Sequence, residues 1–142
     1  MKKHLAIFLL ILVSNFAFGQ YSNQTSDIYS SKTGNLYVKA SYTSTNMHRA
    51  DRTIYLKSRN ENSNSRDMLN WTNGGYKEIR EFLYKLINSL EQPTGTRLNI
   101  GYMYSANVLD ANNIKVINTM GGYSTFNRKE MLLLLQAIRD KE

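Results

Sequence analysis

The central element of the fold is determined by residues 76–90, which have the sequence YKEIREFLYKLINSL. Its apolar residues recur at intervals of three and four, which is the period of a helix that buries one face. They are Ile79, Phe82, Leu83, Leu86, Ile87 and Leu90. Pro93 and Gly95 follow, and neither residue favours continuation of the helix. The sequence therefore predicts one amphipathic helix in the middle of the chain.

Two alternating segments precede this helix. Residues 36–43 and 52–57 both place apolar side chains at every second position, as expected for half-buried strands. The polar residues between them predict a turn, so the two strands should form a hairpin. Residues 58–73 are rich in asparagine, serine and charge, and they predict a long loop that is either functional or mobile.

A second hairpin and a second helix are predicted after the first helix. Residues 97–108 alternate throughout and predict one long strand, with Tyr102 and Tyr104 on its core face. The residues from Asp110 to Asn113 tolerate turn geometry, and residues 114–117 begin the returning strand. Asn127 is the predicted cap of the last helix, with Glu130 three residues later. The predicted core stripe of this helix contains Met131, Leu134, Leu135 and Ile138, widened by Leu132 and Leu133.

These elements predict an α+β fold with the order ββαββα. We expect a two-layer sandwich in which a four-stranded antiparallel sheet, made of two hairpins, carries both helices on one face. The sequence Gly74-Gly75-Tyr76 recurs as Gly121-Gly122-Tyr123, which indicates either an internal duplication or coincidental use of glycine before helices. The wide leucine face of the last helix predicts docking on two sides, or a homo-oligomer formed through that helix.

The beginning of the chain predicts export. Lys2 and Lys3 precede an apolar run at residues 5–13, and Ala17-Phe18-Gly19 supplies the small residues of a cleavage site. We therefore predict a signal peptide at 1–19, a flexible polar leader at 20–34 and a single α+β domain at 35–142. The apolar run is too short for an uncleaved membrane anchor. The chain has no cysteine, so we expect a periplasmic or extracellular protein of a bacterial envelope, without a lipid anchor or disulfides.

Few residues support catalysis or metal binding. His48 is the only histidine that remains after cleavage, and its neighbour Asp51 lies in the same predicted loop, whereas catalytic triads are assembled from distant segments. The carboxylates lack the spacing of a calcium loop. We therefore predict no catalytic residue, no metal and no cofactor. The alternative is a small secreted hydrolase with an unconventional carboxylate or serine site, for which His48, Glu78 and Asp110 are candidates.

Charge and tyrosine favour a binding role. Residues 32–66 contain seven basic and two acidic residues, a balance that suits an anionic partner. Tyr37 and Tyr55 alternate with the apolar positions of the first two strands, so they should project outward beside Lys39 and Lys57. An equally simple interpretation is that tyrosine favours strands in general. Trp71 is included among the candidate binding residues as a possible anchor, although a buried Trp71 would instead hold the predicted loop against the helix.

We therefore predict an exported, non-enzymatic binding or interaction module, such as an accessory subunit of an envelope complex or an inhibitor-like protein. Its predicted binding residues are Tyr37, Lys39, Tyr55, Lys57 and Trp71. The expected partner is a protein or an anionic glycan, because both match a basic aromatic surface. Export makes nucleic acid the least suitable anionic partner.

Overall fold

The computed structural model describes residues 22–45, 48–63 and 67–141. The predicted signal peptide at 1–19 lies outside the described residues. Within them the chain forms eight strands and two helices in the order ββββαββββα. The elements of the first half are β1 Ser22–Ser30, β2 Leu36–Thr45, β3 His48–Arg59, β4 Met68–Gly74 and α1 Tyr76–Ser89. Those of the second half are β5 Arg97–Asn99, β6 Tyr104–Val108, β7 Asn113–Asn118, β8 Tyr123–Asn127 and α2 Arg128–Arg139.

The strands form two antiparallel sheets, each with its strands in chain order. Sheet A contains β1–β4 and sheet B contains β5–β8. Each sheet is thus a meander followed by one helix. The α+β class is confirmed, but the layout differs from the prediction, because two four-stranded sheets replace one and each half has two more strands than expected.

Both sheets and both helices bury side chains in one apolar cluster. Sheet A contributes Leu36, Val38, Ile54, Leu56 and Trp71. Sheet B contributes Ala106, Val108, Ile114, Val116 and Phe126. The predicted helix stripes are confirmed, since Ile79, Phe82, Leu83 and Leu86 of α1 and Met131, Leu134, Leu135 and Ile138 of α2 are buried. Leu132 and Leu133, which widen the predicted stripe of α2, are exposed.

Aromatic rings from both halves meet at the centre of this core. The Trp71 ring centroid lies 5.4 Å from that of Tyr104 and 5.6 Å from that of Phe126, and both ring pairs are edge-to-face. Phe82 of α1 stacks on Trp71 at 6.3 Å and also lies edge-to-face against Tyr104 and Phe126. Burial raises the pKa of the Tyr104 phenol. The aromatic cluster therefore packs β4 and α1 of the first half against β6 and β8 of the second.

Hydrogen bonds join the two halves beside this cluster. Trp71 Nε1 donates to Ser58 Oγ at 2.6 Å, and the Ser58 hydroxyl donates to Ser124 Oγ. The Ser124 hydroxyl in turn donates to the Arg59 carbonyl. Next to it, the Glu61 amide donates to the Tyr123 carbonyl at 2.9 Å. Since Ser58 and Ser124 are both buried, their mutual pairing satisfies polar groups that would otherwise be costly to bury.

The two helices begin differently. Asn127 caps α2, because its side-chain oxygen accepts hydrogen bonds from the amides of Lys129 and Glu130, as predicted. Phe126 and Met131 on either side of the cap are fully buried, in the arrangement of a hydrophobic staple. By contrast, α1 begins after Gly75, which makes no side-chain capping bond.

Two segments that were predicted to lack regular structure form strands. Residues Ser22–Ser30 of the predicted leader pair with β2 as the edge strand β1, and Met68–Gly74 of the predicted loop pair with β3 as β4. Both strands lie at the edges of sheet A, and among their described side chains only Trp71 is buried, so their sequences lack strong alternation. A register shift between Leu56 and Lys57 further interrupts the β3–β4 pairing.

The predicted long strand at 97–108 is divided by a turn. Gly101 has a φ of +117°, a conformation that favours glycine, and the Ile100 amide donates to the Tyr104 carbonyl across the turn. The chain reverses there, although the apolar alternation continues through it. Tyr104 packs against the core as predicted. The prediction for Tyr102 is wrong, because the turn places its side chain fully in solvent.

The recurring Gly-Gly-Tyr sequences occupy different positions. Gly74 ends β4 and Gly75 directly precedes α1, whereas Gly121 and Gly122 lie in the turn between β7 and β8. A whole strand therefore separates the second copy from α2. The repetition that the structure shows is the element order ββββα, which does not depend on these glycines.

Candidate binding surface

The predicted binding residues of β2 and β3 lie side by side in sheet A. Tyr37 is directly opposite Lys57, and Lys39 is directly opposite Tyr55. Residues opposite one another in an antiparallel pair project to the same side of the sheet. Because Val38 and Leu56 between them are fully buried, these four side chains project away from the core. We call Tyr37, Lys39, Tyr55 and Lys57 the outer-face cluster.

Each lysine of the outer-face cluster lies over a tyrosine of its own strand. Lys39 Nζ is 5.5 Å from the Tyr37 ring centroid, and Lys57 Nζ is 5.5 Å from the Tyr55 ring centroid. These distances are within the range of a cation–π interaction. All four residues are half-buried. The cluster thus presents two ring–ammonium pairs on neighbouring strands of the outward face.

The charge of the outer-face cluster is partly balanced at one side. Lys39 Nζ lies 3.3 Å from Asp27 Oδ1 of β1, and both side chains remain accessible to solvent. Such an exposed pair contributes little to stability. Within the described residues Lys57 makes no ion pair, so it retains the most available positive charge of the cluster.

The surface continues beyond the residues that the sequence predicted. Arg59 follows Lys57 at the next outward position of β3 and is opposite Met68 of β4. Together with Tyr37 and Gly34, these two side chains line a depression of about 360 Å³. The prediction missed Arg59 and Met68 because it ended the strand at Lys57. Continuing the period of two by one step would have included Arg59.

Trp71 does not lie on this surface. Its side chain is 2% exposed, it is enclosed by the aromatic cluster, and its indole N–H is used by Ser58. A side chain buried in this way offers no area to a partner, so Trp71 is not part of the outer-face cluster. This position agrees with the alternative in which Trp71 packs its segment against the helix that follows.

The residues considered for hydrolysis lie on separate elements. The Asp110 carboxylate accepts hydrogen bonds from the Asn112 and Asn113 amides at 2.8 and 2.9 Å and from the Asn113 side chain. The Asn113 side chain and these amides hold the pKa of Asp110 below its usual value. Glu78 is an exposed residue in the first turn of α1. The side chain of His48 lies outside the described residues. Asp110 therefore has a structural role in the β6–β7 turn.

The described residues contain no group of three or more histidines, cysteines or carboxylates placed to hold a metal ion. The helices in this part of the chain are also too short or too polar to cross a membrane. No known protein family, no curated protein and no solved structure matches this chain.

Proposed function

We propose that this chain is an exported, non-enzymatic binding module that recognises an anionic partner through the outer-face cluster. The partner is a protein with an acidic surface or an anionic glycan. The observation that carries this proposal is the arrangement of two tyrosine–lysine pairs on neighbouring strands, all four side chains directed away from the core.

The geometry of the outer-face cluster suits an extended partner. Half-buried tyrosines lose little side-chain entropy on binding and combine apolar area with a hydroxyl group. The ammonium groups over their rings supply charge at a spacing set by the strands. Arg59 and the depression beside Met68 enlarge this surface at one end. Such a shallow, basic surface favours a polymer or a protein over a small molecule, which would prefer an enclosed site.

Two soluble polyanions test the proposal and separate its two partner classes. Polyglutamate represents an acidic protein surface, and alginate represents an anionic glycan. We expect the chain from Gln20 to Glu142 to bind at least one of them at low salt, and binding should weaken as salt screens the charges. Lys39→Gln with Lys57→Gln should weaken binding about tenfold or more, because each lysine contributes a charge-assisted contact.

Sheet B offers a matched control. Lys115 Nζ lies 3.7 Å from the Tyr123 ring centroid, so Lys115→Gln removes one charge and the same kind of cation–π contact from the other half, and it is compared with Lys57→Gln alone. This control variant should bind as the unchanged chain does. Equal loss in both variants would indicate a general effect of net charge and would contradict the proposal, as would the absence of binding to either polyanion.

A further inference from the structure

A cleft of about 430 Å³ lies where the two halves meet, apart from the outer-face cluster. The first half contributes Tyr29 of β1, the turn between β1 and β2, and Glu61 of the segment after β3. The second half contributes Thr125 of β8 and the first two turns of α2, including Glu130. We call this site the junction cleft. Its volume is within the range of about 300–1,000 Å³ that is usual for small-molecule sites.

Protein donors hold both carboxylates of the junction cleft in place. Glu61 Oε1 accepts from the Thr125 amide at 2.6 Å, and Glu61 Oε2 accepts from Thr125 Oγ1 at 3.0 Å. Glu130 accepts a hydrogen bond from the Thr33 hydroxyl, which reaches it from the other half. A carboxylate oxygen has two lone pairs, so both groups keep acceptor capacity for a ligand while their positions are defined by the protein.

Two lysines supply donors on the same walls. Lys32 and Lys129 line the cleft and are exposed, and in the described part of the chain neither forms an ion pair. Their formal charges cancel those of Glu61 and Glu130. The junction cleft therefore offers strong donors and strong acceptors without a net charge, which favours a neutral ligand that can both donate and accept hydrogen bonds.

The cleft also has an apolar part. The Tyr29 ring packs against the core from β1, and Leu133 of α2, with 42% of its area exposed, also lines the cleft. Burial, and to a smaller extent the charge of Glu130, raises the pKa of the Tyr29 phenol, and a protonated phenol can donate a hydrogen bond. An aromatic ring beside directed polar groups suits a ligand with an apolar ring face and polar edges.

We infer that the junction cleft binds a neutral saccharide of one or two rings. Sugar hydroxyls donate to the carboxylates and accept from the lysines, and the C–H face of the sugar ring packs on Tyr29. A zwitterionic amino acid would match one lysine and one glutamate, but it would leave the apolar wall and much of the volume unused. This inference does not depend on the proposed function, because the residues involved are different.

Amide chemical shifts in an NMR titration test this inference. The probes are glucose, N-acetylglucosamine and maltose, with alanine as a zwitterionic comparison. We expect at least one sugar to shift the amides of Thr33, Thr125 and Lys129 with a dissociation constant in the millimolar range, while those of Tyr55 and Lys57 stay in place. If no sugar shifts the cleft amides at tens of millimolar, or if alanine does so and the sugars do not, the inference is overturned.

Two variants locate the binding within the cleft. Lys32→Ala removes an exposed donor without breaking an ion pair, and Glu61→Gln keeps the size of the side chain while removing its charge. Each should weaken saccharide binding about tenfold, the effect expected for one hydrogen bond to a charged group. Lys85→Ala on the exposed face of α1, away from the cleft, is the matched control and should leave saccharide binding unchanged. Unchanged affinity in both cleft variants would overturn the assignment, and it would leave the polyanion experiment unaffected.

Discussion

The two halves of the molecule repeat one order of elements with very different dimensions. The strands of sheet A contain 9, 10, 12 and 7 residues, whereas those of sheet B contain 3, 5, 6 and 5 residues. Both sheets nevertheless supply five side chains to the same apolar cluster. The short strands of sheet B therefore supply as many side chains to this cluster as the longer strands of sheet A.

The outward faces of the two sheets differ in their chemistry. The central strands of sheet A, β2 and β3, hold two tyrosine–lysine pairs and Arg59, while β7 and β8 of sheet B hold the single pair of Lys115 and Tyr123. The exposed apolar side chains of sheet B lie in its turns instead, where Tyr102, Met103 and Met120 are largely in solvent. The same order of elements thus supplies equal numbers of core side chains in both halves, while the outward faces of the two sheets carry different residues.

The largest expected effect comes from breaking the contact between the halves. Trp71→Ala should lower the free energy of unfolding by about 3–5 kcal/mol, because it leaves a cavity among the rings of Phe82, Tyr104 and Phe126. Trp71→Phe keeps much of the ring and loses the bond to Ser58, so its cost should be about 1–3 kcal/mol. Urea denaturation followed by far-ultraviolet circular dichroism measures both values. Two separate transitions in the unchanged chain would show that the halves do not share one cooperative core.

The next largest change in the free energy of unfolding is expected at the N-terminal caps of the two helices. Asn127→Ala should cost about 1 kcal/mol, because the amides of Lys129 and Glu130 lose their acceptor. Gly75→Ser at the start of α1 should change stability by only a few tenths of a kcal/mol, since glycine is already an acceptable cap. Thermal unfolding of both variants gives the comparison. An equal loss at both positions would show that Asn127 does not act through its cap.

A smaller change in stability should distinguish the Lys57–Tyr55 pair of sheet A from the Lys115–Tyr123 pair of sheet B. Lys57→Gln should alter the free energy of unfolding by no more than about 0.5 kcal/mol, because its cation–π contact is partly exposed. Lys115→Gln should cost up to about 1 kcal/mol, because its ammonium group lies closer to the ring of Tyr123. Urea titrations at the same salt concentration distinguish the two. If Lys57→Gln is the more destabilising, the outer-face cluster is structurally more important than we propose.

The smallest effect is the acid sensitivity of the β6–β7 turn. The folded-state pKa of Asp110 lies below its unfolded value, so its stabilising contribution is present above about pH 3.9 and is lost as the pH falls through the folded pKa. Asp110→Asn should therefore flatten the fall of the melting temperature in this acidic range. Melting curves at a series of pH values test this expectation, and an unchanged acid profile in the variant would contradict it.

The sequence predicted the parts of the fold that local patterns determine. The stripe of α1, the cap at Asn127 and the turn at Asp110 each depend on neighbouring residues, and all three are confirmed. The alternation around Val38 and Leu56 likewise placed Tyr37, Lys39, Tyr55 and Lys57 on one side of the sheet. The binding role of these residues stays a prediction.

The remaining features depend on distant contacts. The edge strands β1 and β4 are defined by pairing with a neighbour, and their polar sequences favour a loop when considered alone. The alternation at 97–108 is unbroken and predicts one strand, but the chain reverses at Gly101, whose positive φ favours glycine. The junction cleft could not be predicted either, because segments as distant in sequence as Thr33 and Glu130 build it together.

The position of Trp71 gives the protein a built-in optical reporter. It is the chain's one tryptophan, and its indole is buried where it packs against Tyr104 and Phe126 of the second half. Its fluorescence should therefore be blue-shifted in the native state and should move to longer wavelength only when water reaches the contact between β4 and β8. Emission spectra alone can then follow the docking of the halves during refolding, with no added label.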